Sequence, residues 1–315
     1  MVKLDLASKK KLKATALALI MLATNPAAGQ QTLNNEEAAQ NGWTMEQNRS
    51  AEWHLAQHKR LSAAIAGLKP QRSGVVDVYV VSIGLDSDPV FVREAGEAAN
   101  VLRHRYGARG HTVFLAAGAD EKSTGVPQGS PPNLAIALAA VADKMDMEED
   151  VLILFATTHG DPVVGLAYRD GDHGVGMIAP QRLASLLDGL GFKRRMILLS
   201  ACYAGIFIPE LTNENSIIIT AASSKRTSFG CAPGNDWTFF GDALINNALR
   251  KSQPFGKATD EAVSLINKWE TDLRLVPSRP QVFMGDKAND WLTPLETRIP
   301  KIETVKVGRP AFESN

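Results

Sequence analysis

The feature that most constrains this chain is a series of short, almost uninterrupted apolar runs rich in β-branched residues. They are VVDVYVVSIG at 75–84, HTVFLAA at 111–117, DVLILFAT at 150–157, RRMILLSA at 194–201, SIIITAA at 216–222 and QVFMG at 281–285. Runs of this length without polar alternation suit strands buried on both faces. Helical patterns lie between them. VFVREAGEAANVLRHRYG stops at Gly107, NLAIALAAVADKM follows Pro131 and Pro132, and PQRLASLLDGLG is closed by glycines. Two more helical stretches lie around residues 237–249 and 257–273. Buried strands alternating with helices predict an α/β domain, a three-layer αβα sandwich around a central, mostly parallel sheet of about six strands. In such sheets the crossovers are right-handed and sites open beyond the carboxyl ends of the strands.

The flanks read differently. Lys9, Lys10, Lys11 and Lys13 precede the apolar run ATALALIMLA, which exits through TNPAAGQQ. A basic stretch, a short apolar segment and small residues have the layout of a secretory signal at 1–29, with Ala27 and Gly29 before a cut ahead of Gln30. The apolar run is about half of the ~20 residues that span a bilayer, so no stable membrane span is expected after cleavage. Export to the periplasm or the medium follows as an expectation. Residues 30–74 read as a polar, flexible segment carrying one accessory helix, with Trp53, Leu61, Ile65 and Leu68 on one side. The main domain is expected over 75–290 and a tail over 291–315.

The 34 basic and 34 acidic side chains cancel. With no net field and no basic run interleaved with aromatics, nucleic acid is not an expected partner. The glycines form no phosphate-binding loop, and His111, His159 and His173 lack metal-ligand spacing, so no cofactor and no metal is implied. DGDHG at 170–174 reads as a loop, with Asp172 and His173 beside a substrate wall.

Two strands run directly into reactive residues. DVLILFATT continues to His159 and Gly160, and RRMILLSA continues to Cys202. If these strands are neighbours, His159 and Cys202 leave the same sheet edge together. A thiol is a competent nucleophile only as thiolate, and an adjacent imidazole favours that form. Gly160 allows a sharp turn, and its N–H with that of Cys202 is suited to a developing oxyanion. The plainer reading is a small core cysteine and a structural histidine. Spacing alone leaves both standing. Cys202 and Cys231 are the two cysteines, free or bridged.

At these residues the chain resembles the legumain (asparaginyl endopeptidase) family of cysteine peptidases, whose clan includes the caspases, and in particular its bacterial members. THG at 158–160 and SAC at 200–202 match the family's His-Gly and Ala-Cys motifs. TAASSKRTSFGC at 220–231 resembles the segment lining the primary specificity pocket, and GNDW at 234–237 a Gly-Asp-Trp element. The resemblance covers residues 75–290. It implies a caspase-like fold and a peptide or protein substrate, with His159 as general base and Cys202 as nucleophile. It implies Gly160 and Cys202 as oxyanion donors, and Arg93, Ser200, Ser228 and Asp236 around the pocket. Cys231 is then expected to pack near the pocket wall.

Two positions depart from the family. Ser200 stands where the plant and animal enzymes carry an acid, and Phe91 or its neighbours stand where an asparagine supports the histidine. Asparagine or aspartate before the scissile bond is therefore an expectation resting on Arg93 and Asp236, which offer a donor and an acceptor. The same thioester chemistry would serve a transpeptidase, and loss of catalysis would leave a peptide-binding pseudoenzyme.

Overall fold

The computed structural model describes residues 35–118 and 125–313. The leader expected at 1–29 lies outside the described residues. In chain order the elements begin with α1 (Asn35–Gln40), β1 (Thr44–Glu46), α2 (Ala51–Ala66), β2 (Val78–Gly84) and α3 (Pro89–Arg105). There follow β3 (Thr112–Ala116), α4 (Pro131–Ala142), β4 (Val151–Thr157), β5 (Gly160–Asp161), β6 (Gly165–Asp170), β7 (Gly174–Ile178) and α5 (Pro180–Gly189). The last part holds β8 (Arg195–Ser200), α6 (Ile208–Leu211), β9 (Ser216–Thr220), a π-helix over Gly241–Ala248, α7 (Phe255–Asp272), β10 (Gln281–Met284) and α8 (Ala288–Glu296).

Six strands form the central sheet in the order β10-β9-β8-β4-β2-β3. All pairs are parallel except β10 with β9. The continuous apolar runs are explained by the two faces they cover. Val78, Val80, Ile153, Phe155, Met196 and Leu198 point into one core with α3, the π-helix, α7 and α8. Tyr79, Val81, Leu152, Leu154, Ile197 and Leu199 point into a second core with α2, α4 and α5. Every residue of β2, β4, β8 and β9 is buried. At about 1.5–3 kcal/mol per large apolar side chain, this burial holds the three layers together.

A second sheet, β1-β7-β6-β5, is antiparallel throughout. Its strands are short and glycine-rich, and they carry no long apolar run. The DGDHG stretch read as a loop is the hairpin connection between β6 and β7.

Both expected flanks are part of the main body. From Asn35 onward the N-terminal segment is built into elements rather than flexible. β1 is the edge of the small sheet, Leu61 and Leu68 enter the second core, and the Gln57 side chain accepts a hydrogen bond from the Gln128 amide at 2.9 Å. At the other end, a boundary at 290 would cut through α8, which buries Trp291, Leu292 and Leu295. Beyond it the chain returns as a strap. The Trp237 indole donates to the Val307 carbonyl at 2.8 Å, the Ala311 amide donates to Asp242 at 2.8 Å, and Phe312 stacks on Trp269. No helix among the described residues is long and apolar enough to cross a membrane.

Candidate active site

The register of the two central strands decides the geometry. β4 and β8 pair with Thr157 opposite Ser200, and the Thr158 amide donates to the Ser200 carbonyl at 3.1 Å. His159 and Cys202 are each two residues beyond that matched pair, so both leave the sheet at its carboxyl edge.

The chain then turns sharply on both sides. Tyr203 sits in the left-handed region at φ 56°, a conformation that costs a residue with a side chain on the order of 1 kcal/mol. It is held there by its amide, which donates to the Arg226 carbonyl at 2.8 Å. On the histidine side, Gly160 passes so close that a Cβ would lie 1.9 Å from the Cys202 carbonyl oxygen. Glycine is required here by this close approach rather than by turn geometry. Its N–H is also free of the ladder. The Ala167 amide bonds the His159 carbonyl at 3.0 Å, and bonded and non-bonded pairs alternate between antiparallel strands. Gly160 and Leu166 are the next pair, so they do not exchange hydrogen bonds.

Cys202 is half-buried and free, as is Cys231. The Ser228 amide donates to the Cys202 sulfur at 3.2 Å, and the Ser228 hydroxyl lies 3.6 Å from it. The Cys202 thiol is pulled down to about 6. A hydrogen bond from the Cys231 thiol is the largest cause. Burial opposes it, while both Ser228 groups and the charge of His159 add to it. Cys231 is pushed up by that same bond, by burial and by the charges of Cys202 and Glu94, so it keeps its proton and donates it. Cys231, expected beside the pocket wall, is thus near enough to the candidate nucleophile to lower its thiol.

His159 is fixed from two other directions. The Phe91 ring meets the imidazole edge-on, with centroids 5.0 Å apart at 80°. The Asp88 carboxylate lies 3.8 Å from His159 Nε2. Asp88 is in turn bound by Arg169 at 2.7 Å, and Arg169 also grips Asp86 through two bonds of 3.0 Å. Asp86, Asp88 and His159 stand within reach of one cation, but the guanidinium of Arg169 already sits on the oxygens of both acids.

The four residues expected around the primary pocket separate into three places. Ser228 touches the Cys202 sulfur. Arg93 and Asp236 pair with each other at 3.7 Å, and Arg309 of the strap also holds Asp236, through its backbone amide at 2.8 Å and its guanidinium at 3.4 Å. These contacts keep the Asp236 carboxyl low, the Arg309 amide most of all. Arg93 and Asp236 help line a cavity of about 630 Å³ beside α3, whose wall includes neither Cys202, His159 nor Ser228.

Ser200 is a correction. It is only 2% exposed, and its hydroxyl pairs with that of Thr238 at 3.1 Å. Strand alternation turns it toward the core that holds Met196 and Leu198, beneath the site rather than toward a substrate. The sequence reading missed Glu94, which lies in the same buried cluster and accepts the Thr238 amide at 2.9 Å. Gly241 leaves room for it, since a Cβ there would lie 2.1 Å from the Glu94 carboxylate. Burial pushes the Glu94 carboxyl up, against the hydrogen bonds of Ser200, Thr238 and Thr157. An acid therefore stands under Ser200 in space, although none precedes Cys202 in sequence. Asp88 and Arg169 were also missed, the first standing alone between a strand and a helix, the second lying in a hairpin without an apolar run.

The model of the peptidase C13 family matches residues 137–271, a span that contains His159, Gly160, Cys202, Ser228 and Cys231. No curated protein matches the sequence. Among solved structures, caspase-1 from Spodoptera frugiperda is similar at 10% identity with a TM-score of 0.45, covering 69% of this chain and 92% of that one.

Proposed function

We propose that this chain, whose residues 137–271 match the peptidase C13 family, is a cysteine peptidase that hydrolyses peptide bonds with Cys202 as nucleophile and His159 as general acid and base. The observation that carries this reading is the strand register that sets Thr157 opposite Ser200, because it sends both groups off one edge. The lowered thiol of Cys202 adds to it: near neutral pH the sulfur is largely thiolate before any substrate arrives.

The thiolate attacks the carbonyl carbon, and the oxygen takes up the charge facing the N–H groups of Gly160 and Cys202. As the intermediate collapses, His159 gives a proton to the departing amine. Water, deprotonated by the same imidazole, then cleaves the thioester and frees Cys202. Ser228 and Cys231 act on the resting thiolate, and as they donate to sulfur they moderate its basicity.

Cleavage after asparagine or aspartate is the proposed specificity. It rests on the resemblance and on the donor and acceptor that Arg93 and Asp236 place together, in a cavity whose wall does not include Cys202. Export to the periplasm or the medium completes the reading and rests on the layout of residues 1–29.

The test is a peptide-library digest by purified protein, with wild type and Cys202→Ser run side by side and the cut sites read by mass spectrometry. Cleavage after asparagine or aspartate that disappears in Cys202→Ser is the expected result. Cuts after large apolar residues would reject the specificity, and unchanged cleavage by Cys202→Ser would reject the nucleophile. An added amine that appears in the products in place of water would identify a transpeptidase.

A further inference from the structure

Asp88 occupies the N-cap of α3, in extended conformation at φ −61° and ψ 131°. Aspartate is among the best residues for this position because its carboxylate accepts the unpaired amides of the first turn. Here it makes no cap bond. Its oxygens turn the other way, toward Arg169 at 2.7 Å and His159 Nε2 at 3.8 Å. A side chain that forgoes a local bond worth about 1 kcal/mol is a sign of work done elsewhere.

The surroundings hold it in that orientation. The Asp88 amide donates to Asp86 at 2.9 Å, and Asp86 is bound twice by the same Arg169 that holds Asp88. The backbones are stitched as well. The Ser87 amide donates to the Arg169 carbonyl at 2.9 Å, and the Arg169 amide to the Leu85 carbonyl at 3.0 Å. The segment after β2 is thus fastened to β6, the strand that pairs with Gly160 just after His159. The carboxylate and the imidazole are carried on two segments locked to each other.

We infer that Asp88, clamped by Arg169, is the positioning residue for the His159 imidazole. The inference rests on His159 acting with Cys202. Phe91, in or next to the place where the resemblance predicts an asparagine, supplies an apolar edge to the ring, and the polar support comes from one helical turn earlier. At 3.8 Å the pair is longer than a hydrogen bond, as such pairs commonly are before substrate binds. Asp88 fixes which ring nitrogen faces Cys202 and stabilises the imidazolium when it forms, as the third group of a catalytic triad does.

Asp88→Asn tests this without disturbing the helix, since asparagine caps equally well and no cap bond is lost. A fall in kcat of roughly 10- to 100-fold is expected, with KM and melting temperature little changed and part of the rate recovered in Asp88→Glu. Wild-type kcat in Asp88→Asn would overturn the inference, and so would a loss of rate that only tracks a loss of thermal stability. A second readout needs no peptide substrate: the rate of iodoacetamide alkylation of Cys202 at neutral pH, located by peptide mapping. His159→Ala is expected to slow it, and Asp88→Asn to slow it toward the same value. Slowing in His159→Ala alone would overturn the role of Asp88. Equal rates in all three proteins would overturn the Cys202–His159 dyad, and with it this inference.

Discussion

Gly160 and Cys202 approach so closely that one methyl group cannot fit between them, the nearest atom being the Cys202 carbonyl oxygen at 1.9 Å from a notional Cβ. The contact joins the backbone after His159 to the backbone of the proposed nucleophile, so a change at one displaces the other. Gly160→Ala should cost about 3 kcal/mol of stability, at the upper end for a point substitution. It should also lower kcat/KM by more than the folded fraction explains. Urea unfolding with parallel kinetics measures both, and an alanine variant of wild-type stability would show that the backbone relaxes freely.

Cys202 reactivity should follow pH with a midpoint near 6, as set by Cys231, Ser228 and His159. Cys231→Ala removes the largest of these causes, so its midpoint should rise toward the ordinary cysteine value of roughly 8.5. Alkylation rates from pH 5 to 9 provide the comparison. A midpoint unmoved by Cys231→Ala would mean that the thiol bond contributes little in solution.

Glu94 makes stability depend on pH with a definite sign. Its folded carboxyl is raised, chiefly by burial. The folded state therefore holds a proton that the unfolded chain releases above the usual glutamate range. The stabilisation is complete below that range and declines as pH rises through the folded value. Glu94→Gln keeps a side-chain oxygen for the Thr238 amide and needs no proton, so its stability relative to wild type should increase between pH 5 and pH 8. Thermal melts of both proteins at the two pH values test this, and a constant difference would contradict it.

The strap should contribute to stability. Removing residues 303–315 leaves the Trp237 indole and the Asn246 side chain without Val307, and Asp242 without the Ala311 amide. At about 1 kcal/mol per hydrogen bond, a loss of roughly 3–4 kcal/mol is expected. It also frees Asp236 from Arg309, leaving Arg93 as its partner. Denaturation of the truncated chain gives the first number, and cleavage rates on asparagine peptides report the second effect.

What the sequence determined alone is the central sheet and the two residues at its edge. Apolar runs such as VLILFAT are buried on both faces, and this pattern is local enough to read from the chain. The positions of His159 and Cys202 after two such runs are equally local, and the match to the peptidase C13 family falls on the same stretch. Tertiary structure decided the rest. Ser200 looked like a pocket residue until strand alternation turned it into the core, where it meets Glu94 from a distant helix. The small sheet has too few apolar residues for its short strands to announce themselves, and its edge strand β1 pairs with β7 across more than a hundred residues. Asp88, Arg169 and His159 share no spacing pattern, because they lie on segments distant in the chain that only the folded backbone brings together. Periodicity reports what each segment does with its own neighbours, whereas ion pairs between distant segments depend on where the folded backbone carries them.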